Sequence, residues 1–196
     1  MNGALAFEDV ACVRGERLLF ERLSFVVQAG GAALVTGPNG VGKSSLIRIA
    51  AGLLPFVAGR VEAKGPRALL DEAASLDDEC SLASALRFWA TLDGTLADPV
   101  TSVADALDLL ALRDLADIPV RLLSTGQRRR AGFARVVASG AAIWLLDEPA
   151  NGLDKAAIGR LEGAIAHHRA RGGLVLVTSH TPMALPDARL VELRAR

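Results

Sequence analysis

The stretch ALVTGPNGVGKSS, residues 33–45, constrains this chain more than any other part of it. A short apolar run ends in a loop with glycines at 37, 40 and 42, and a helical pattern starts at Lys43. The pattern G-x-x-x-x-G-K-[ST] fits at Gly37, Gly40-Val41-Gly42, Lys43 and Ser44, the signature of a phosphate-cradling P-loop. Its glycines let backbone N–H groups turn inward around phosphates, and the helix N-terminus adds positive potential. Lys43 is expected to reach the β- and γ-phosphates, and Ser44 to offer its hydroxyl to Mg²⁺. Gly37, Pro38, Asn39, Gly40, Val41, Gly42, Lys43, Ser44 and Ser45 are therefore expected to bind a nucleoside triphosphate. The loop is silent on what the energy drives.

A strand, loop and helix in that order belong to an α/β fold, and the rest of the chain agrees. Alternating or β-rich runs predict strands at 4–10, 23–27, 32–36, 60–63 and 68–70. Apolar runs at 142–147, 174–179 and 189–193 read as buried strands. Helices are predicted at 43–51, 81–92, 102–110, 126–139 and 155–171. Buried strands alternating with helices imply a parallel sheet. Residues 72–122 are Ala/Leu/Asp-rich and helical, and read as a short helical subdomain inserted into one domain spanning 1–196. GTLADP, from Gly94, reads as a turn between helices. Phe88 and Trp89 in LRFWATL read first as core, and second as an apolar contact face.

Composition narrows the partners. Hydrophobic residues make up 51% of the 196, enough for a sizeable core, and Lys+Arg 22 balance Asp+Glu 22. Nothing in the net charge argues for nucleic acid or a membrane surface. Cys12 and Cys80 show no metal spacing and fit small, at least half-buried thiols in a reducing compartment. The N-terminus has acids where a signal peptide has cations. No apolar run approaches the roughly 20 residues of a membrane helix, so work at a membrane would need another chain as anchor.

Two further stretches carry chemistry. AAIWLLDEP is an apolar strand ending in Asp147-Glu148, at the strand end where α/β sheets bind ligands. Asp147 is expected to hold Mg²⁺ through its water shell, and Glu148 to polarise an attacking water. LLSTGQRRR, residues 122–130, looks like half of another phosphate site, with small residues, a helix start and three cations but no lysine after the glycine and no metal-binding acid. Arg128, Arg129 and Arg130 spread over about 300° of helix and cannot form one patch. One or two are expected to pair with acids or with a partner subunit, and one to be solvated. His167 and His168 sit in a helical run and read as surface residues, and no metal site is suggested beyond Ser44 and Asp147.

GPNGVGKSS, LSTGQ, WLLDEP, NGLD and TSH, in this order and spacing, resemble the ATP-binding cassette (ABC) ATPase family over nearly the whole chain. The resemblance implies a P-loop cassette with a mostly parallel core sheet, an N-terminal antiparallel β subdomain and the helical subdomain. It implies a homodimer packed head to tail, with each ATP between one chain's P-loop and the other's signature. The incomplete site then has a purpose: Ser124, Thr125, Gly126 and Gln127 would cover a γ-phosphate already held by the partner. Ser124 suits a helix N-cap, and Gly126 permits close backbone approach. Thr125 departs from the family's glycine and is expected to weaken the dimer at most. Asn151-Gly152-Leu153-Asp154 resembles the D-loop, with Asp154 coupling the two ATP sites. His180 resembles the switch histidine that contacts the γ-phosphate and helps orient the Glu148 water.

Two family features are absent from the sequence. No aromatic stands near Cys12–Arg14 to stack on adenine, and Arg14 is the candidate to stack its guanidinium instead. No glutamine follows 68–70, where Ala73 matches the Q-loop by position and Glu72 could substitute. CVRGERLLFERLSFVVQAGG, SSLIRIAAGLLP, LRFW, LSTGQRRR and the arginine in place of the adenine aromatic look most like the haem-exporter ATPase subunits of bacterial cytochrome c maturation. That implies integral membrane partners, a peripheral place on the cytoplasmic side of the inner membrane, and a cycle linked to release of a haem-loaded chaperone, with haem met only indirectly. An ABC ATPase for another small solute stays open, as does a nucleotide-binding interaction subunit with little hydrolysis. An ATPase acting on DNA or ribosomes would need a coiled-coil insertion or a second cassette, and neither is present.

Overall fold

The computed structural model describes residues 3–71, 76–92 and 98–194. The positional matches to the Q-loop, Glu72 and Ala73, lie outside the described residues, as does most of the predicted turn from Gly94.

The centre is a five-stranded sheet in which every pairing is parallel. In chain order its strands are β3 (Ala32–Thr36), β5 (Arg67–Leu70), β6 (Ile143–Asp147), β7 (Leu174–Thr178) and β8 (Arg189–Glu192), and their spatial order is β5-β6-β7-β3-β8. All ten residues of β6 and β7 are buried, because both faces of the sheet are covered. The strand period of two deals their side chains to two different cores. Ile143, Leu145, Leu174 and Leu176 join the cluster under helix α1 (Lys43–Ala51) and the N-terminal strands. Trp144, Leu146, Val175 and Val177 join a second cluster on the opposite face. That cluster also takes side chains from α2 (Leu82–Leu92), α3 (Pro99–Leu109), α4 (Thr125–Ala138) and α5 (Lys155–Ala170). Full burial of each such Leu, Ile or Val contributes about 1.5–3 kcal/mol.

A three-stranded antiparallel sheet, β2-β1-β4, covers the α1 side. Strands β1 (Ala4–Arg14) and β2 (Arg17–Val27) form one long hairpin, and β4 (Ala58–Lys64) pairs with the other edge of β1. Sequence alternation ends the first strand at Val10 and starts the second at Leu23, yet both run on to the hairpin tip. Register shifts between Phe7 and Val10 and between Val10 and Cys12 break the period of two that alternation detects. The tip, Gly15-Glu16, has φ of 51° and 63°, the two left-handed positions of a type I′ turn.

Four other expectations change. Strand β8 lies at the sheet edge and is mostly exposed, with Val191 its one buried residue. Helix α3 starts at Pro99, not Ser102, because the Asp98 carboxylate accepts from the N–H groups of Val100 (3.0 Å) and Thr101 (3.2 Å). His168 is a core residue, 5% exposed, with its ring 3.9 Å from that of Trp144 and within 7° of parallel. Phe88 is 62% exposed, and only Trp89 of that pair packs against the core.

Candidate functional site

In the parallel register, Val35 faces Thr178 and Thr178 faces Asp147, so the ends of β3, β7 and β6 stand in one row. The P-loop leaves this row from β3, at the carboxyl edge where such sheets take ligands. A cleft of about 630 Å³ opens there, lined by Asn39, Gly40, Gly42, Lys43, Ser44 and Ser45 together with Glu148 and His180. Arg14 and Leu19 of the hairpin form another part of its wall, and Asn151 and Thr181 complete it. Of the predicted P-loop residues, Gly37, Pro38 and Val41 do not line the cleft, and Val41 is buried beneath it.

The loop's conformation follows from its glycines. A Cβ on Gly37 would stand 2.3 Å from the Leu193 carbonyl oxygen, and its φ is 143°. Gly42, at φ 113°, caps α1 without a side-chain acceptor. First-turn N–H groups have no partner inside a helix, so this N-terminus suits an anion. Lys43 is 7% exposed, and its ammonium donates to the carbonyls of Gly37 (2.9 Å) and Pro38 (3.0 Å), folding across the loop. Ser44 is exposed beside it.

Behind the loop, the two acids are differently held. Asp147 is 4% exposed, and its Oδ1 accepts from the Thr178 hydroxyl at 2.6 Å. It stands behind the cleft wall, which Glu148 enters. Glu148 has a left-handed backbone, φ 49°. Its N–H donates to Thr178 O (3.1 Å) and Oγ1 (3.0 Å). Its Oε2 accepts from the His180 N–H at 3.0 Å. Its Oε1 is buried and has no hydrogen bond among the described residues, with His180 Nε2 3.4 Å away. A buried carboxylate oxygen with an open lone pair beside a phosphate cradle can accept a proton from water.

The signature residues stand elsewhere. Ser124 caps α4, accepting from Gln127 N–H (3.3 Å) while Gln127 Oε1 accepts from Ser124 N–H (2.8 Å), a reciprocal capping box. None of Ser124, Thr125, Gly126 and Gln127 lines the P-loop cleft. Thr125 opens on a second cavity of about 420 Å³, shared with Asn151 and Gly152. A Cβ on Gly126 would meet only Gly152 O, at 3.9 Å. Asp154 caps α5 through Ala157 N–H (2.7 Å) and lines neither cavity.

None of the three arginines is merely solvated, contrary to expectation. Arg128 pairs with Asp78 (2.7 Å). Arg130 donates to the carbonyls of Leu110 (2.9 Å) and Ala111 (3.0 Å). Arg129 donates to Asp71 O (3.1 Å), Asp147 O (2.8 Å) and Glu148 O. Thr178, Arg129 and the cleft-lining Leu19 and Thr181 are site residues that sequence reasoning missed. Thr178 carried a signal, a polar residue ending a buried apolar run just as Asp147 does.

Comparison with known proteins adds four findings. A family model described as ABC transporter matches residues 20–151. The chain is 58% identical over 190 residues to the cytochrome c biogenesis ATP-binding export protein CcmA of Sphingopyxis alaskensis, covering 95% of each. It is 52% identical over 192 residues to the protein of the same name from Zymomonas mobilis, covering 98% of this chain and 85% of that one. Among solved structures, the ATP-binding subunit of an ABC transporter superposes with a TM-score of 0.81 at 24% identity, over 90% of this chain and 79% of the other, a likeness of fold.

Proposed function

This chain belongs to the ABC transporter family as an ATP-binding, ATP-hydrolysing subunit, and from that premise we propose that it works as half of a head-to-tail homodimer driving a membrane partner in bacterial cytochrome c biogenesis. The observation that carries the dimer is that the two helix starts open on different cavities, which border each other at Asn151. The α1 start lines one cleft, and the α4 start opens on another, so neither half of the chain closes over its own nucleotide. A second copy brings Ser124 and Gly126 to the γ-phosphate held by Gly40–Ser45. The whole 1–196 acts as one ATPase domain, with 72–122 as its helical subdomain.

The donor set fits Mg²⁺ arriving with the nucleotide. No group of three or more His, Cys, Asp or Glu among the described residues could hold an ion alone. Mg²⁺ characteristically takes one or two protein oxygens and completes its shell with water and phosphate. Ser44 and Asp147 would hold it, and the bound ion supplies charge to stabilise the phosphoryl group in flight. Lys43 leaves its loop carbonyls to neutralise the β- and γ-phosphates. Glu148 Oε1 takes the proton of the attacking water, and His180 holds the γ-phosphate beside it. Arg14 lies against the base. Asp154, fixed as the α5 cap, carries the D-loop between the two sites.

The names of the relatives support the cytochrome c assignment. No helix among the described residues is long and apolar enough to cross a membrane. We place the chain peripherally, on the cytoplasmic side of the inner membrane, with haem handled by its partners. The groove of about 420 Å³ at Cys80, Ser84, Phe88 and Trp89 is the docking surface for a membrane subunit, since it is apolar and exposes Phe88. Two measurements test the reading. Glu148→Gln should accumulate a dimer with Mg-ATP by light scattering, and a monomer at every concentration overturns the sandwich. Tagged protein from native membranes should carry haem-handling membrane subunits by mass spectrometry. An unrelated permease in their place overturns the cytochrome c role.

A further inference from the structure

We propose that Arg129 is a positioning residue for hydrolysis, clamping the Asp147-Glu148 turn from the helix that carries the signature, so that the place of the α4 start sets the aim of Glu148. The turn needs a clamp. Glu148 holds a left-handed backbone, which is sterically costly for a residue with a Cβ and persists only where its surroundings fix it. Thr178 secures the N–H side from β7. The carbonyl side is secured from α4, where Arg129 Nη2 spans Asp147 O and Glu148 O. The same guanidinium reaches Asp71 O through Nη1, so three parts of the chain meet on one rigid planar group.

Its hydrogen bonds to the turn go to backbone carbonyls, and Glu148 Oε1 has no hydrogen bond among the described residues. Arg129 therefore holds the peptide that carries the base and controls where it points. Hydrolysis is sensitive to such placement, because small displacements of a catalytic group cost large factors in rate. Within the sandwich reading, on which this part rests, the clamp has a second consequence. The α4 start meets the nucleotide held by the partner, while Glu148 serves the nucleotide of its own P-loop. Arg129 then joins the two ATP sites through one side chain, inside one subunit.

The test is a cycle of Arg129→Met, which keeps the stem and removes the fork, with Glu148→Gln. Arg129→Met should lower kcat roughly 10- to 100-fold while ATP affinity stays within about twofold. In the Glu148→Gln background the same change should lower the residual turnover no further, because its effect passes through Glu148. Arg129→Lys should recover part of the rate, and it carries the same cycle if the methionine variant does not fold. Full additivity of the two losses, an unchanged kcat, or a loss of ATP binding that accounts for the rate each overturns the clamp. Light scattering of Glu148→Gln with Mg-ATP judges the sandwich separately. A monomer there removes the link between sites, and the cycle still decides whether Arg129 aims Glu148.

Discussion

Thr178 ends β7 beside Asp147, fully buried, and its one hydroxyl serves both acids. It donates to Asp147 Oδ1 and accepts from Glu148 N–H, at 2.6 and 3.0 Å. Thr178→Val keeps the shape and removes the oxygen, leaving a buried carboxylate oxygen short of its donor. Such a change costs about 1–3 kcal/mol. We expect a lower denaturant midpoint and a several-fold higher Mg²⁺ requirement in steady-state ATPase assays, since Asp147 loses its orientation. Thr178→Ser should restore both, and a valine variant indistinguishable from wild type in both would refute the role. Lys43 poses a simpler case. Its ammonium rests on two loop carbonyls that cannot neutralise phosphate. Lys43→Ala should abolish tight ATP binding by calorimetry, because a charge-assisted pair is lost. Unchanged affinity would remove Lys43 from the site.

Between α5 and β7 a ring is trapped. His168 lies flat on Trp144, and a Cβ on Gly173 would stand 2.1 Å from His168 Cε1. The ring cannot retreat from the indole, so Gly173→Ala should destabilise the chain by about 1–3 kcal/mol, the usual cost of overpacking. Chemical denaturation checks it. Burial also pushes the His168 pKa down to about 4, from an ordinary 6.5. The unfolded chain then binds this proton more tightly than the folded one. The His168 contribution is fully present above about pH 6.5, falls as pH drops through that value, and levels off below about pH 4. The Tm should decline across that window, and His168→Phe should flatten this part of the slope whatever its effect on the Tm at neutral pH. An equal slope in both proteins would contradict the assignment. This helix was legible in the sequence, yet His168 was read as surface, because its partners come from β6 and the α5–β7 turn. Helix α3 failed for a different reason. Asp98-Pro99 is a cap followed by a first-turn proline, and the turn-forming residues before it hid that signal. The P-loop and the Asp147-Glu148 end of β6 were legible because their chemistry is local. Arg129 was not, since the acceptors that tie it to the turn are backbone carbonyls, which leave no mark in sequence.

At the scale of the whole molecule, the P-loop and the α4 start open on different clefts, and the sandwich reading assigns each to a different nucleotide. That division can be tested without seeing the dimer. Take Lys43→Ala, which disables the P-loop half, and Gly126→Asp, which sets a negative charge at the α4 start facing the partner's phosphate. A Cβ at Gly126 would meet only Gly152 O, at 3.9 Å, so the chain's own backbone admits a side chain there. Each variant alone should be inactive, because a two-fold dimer repeats the defect in both of its sites. Mixed in equal amounts, random pairing places half the chains in heterodimers. In each heterodimer one site joins an intact P-loop to an intact signature, and the other collects both defects. The mixture should therefore recover about a quarter of the wild-type rate if the sites fire independently. A chain that completes its own site would gain nothing on mixing, since every copy keeps its own lesion. Strict coupling between sites would also silence turnover, but the intact composite site would still hold two chains together. Light scattering of the mixture with Mg-ATP and Glu148→Gln added to both variants separates these two causes of silence. A dimer that neither variant forms alone means coupled sites, and monomer in the mixture means that the signature and the P-loop of different chains do not meet.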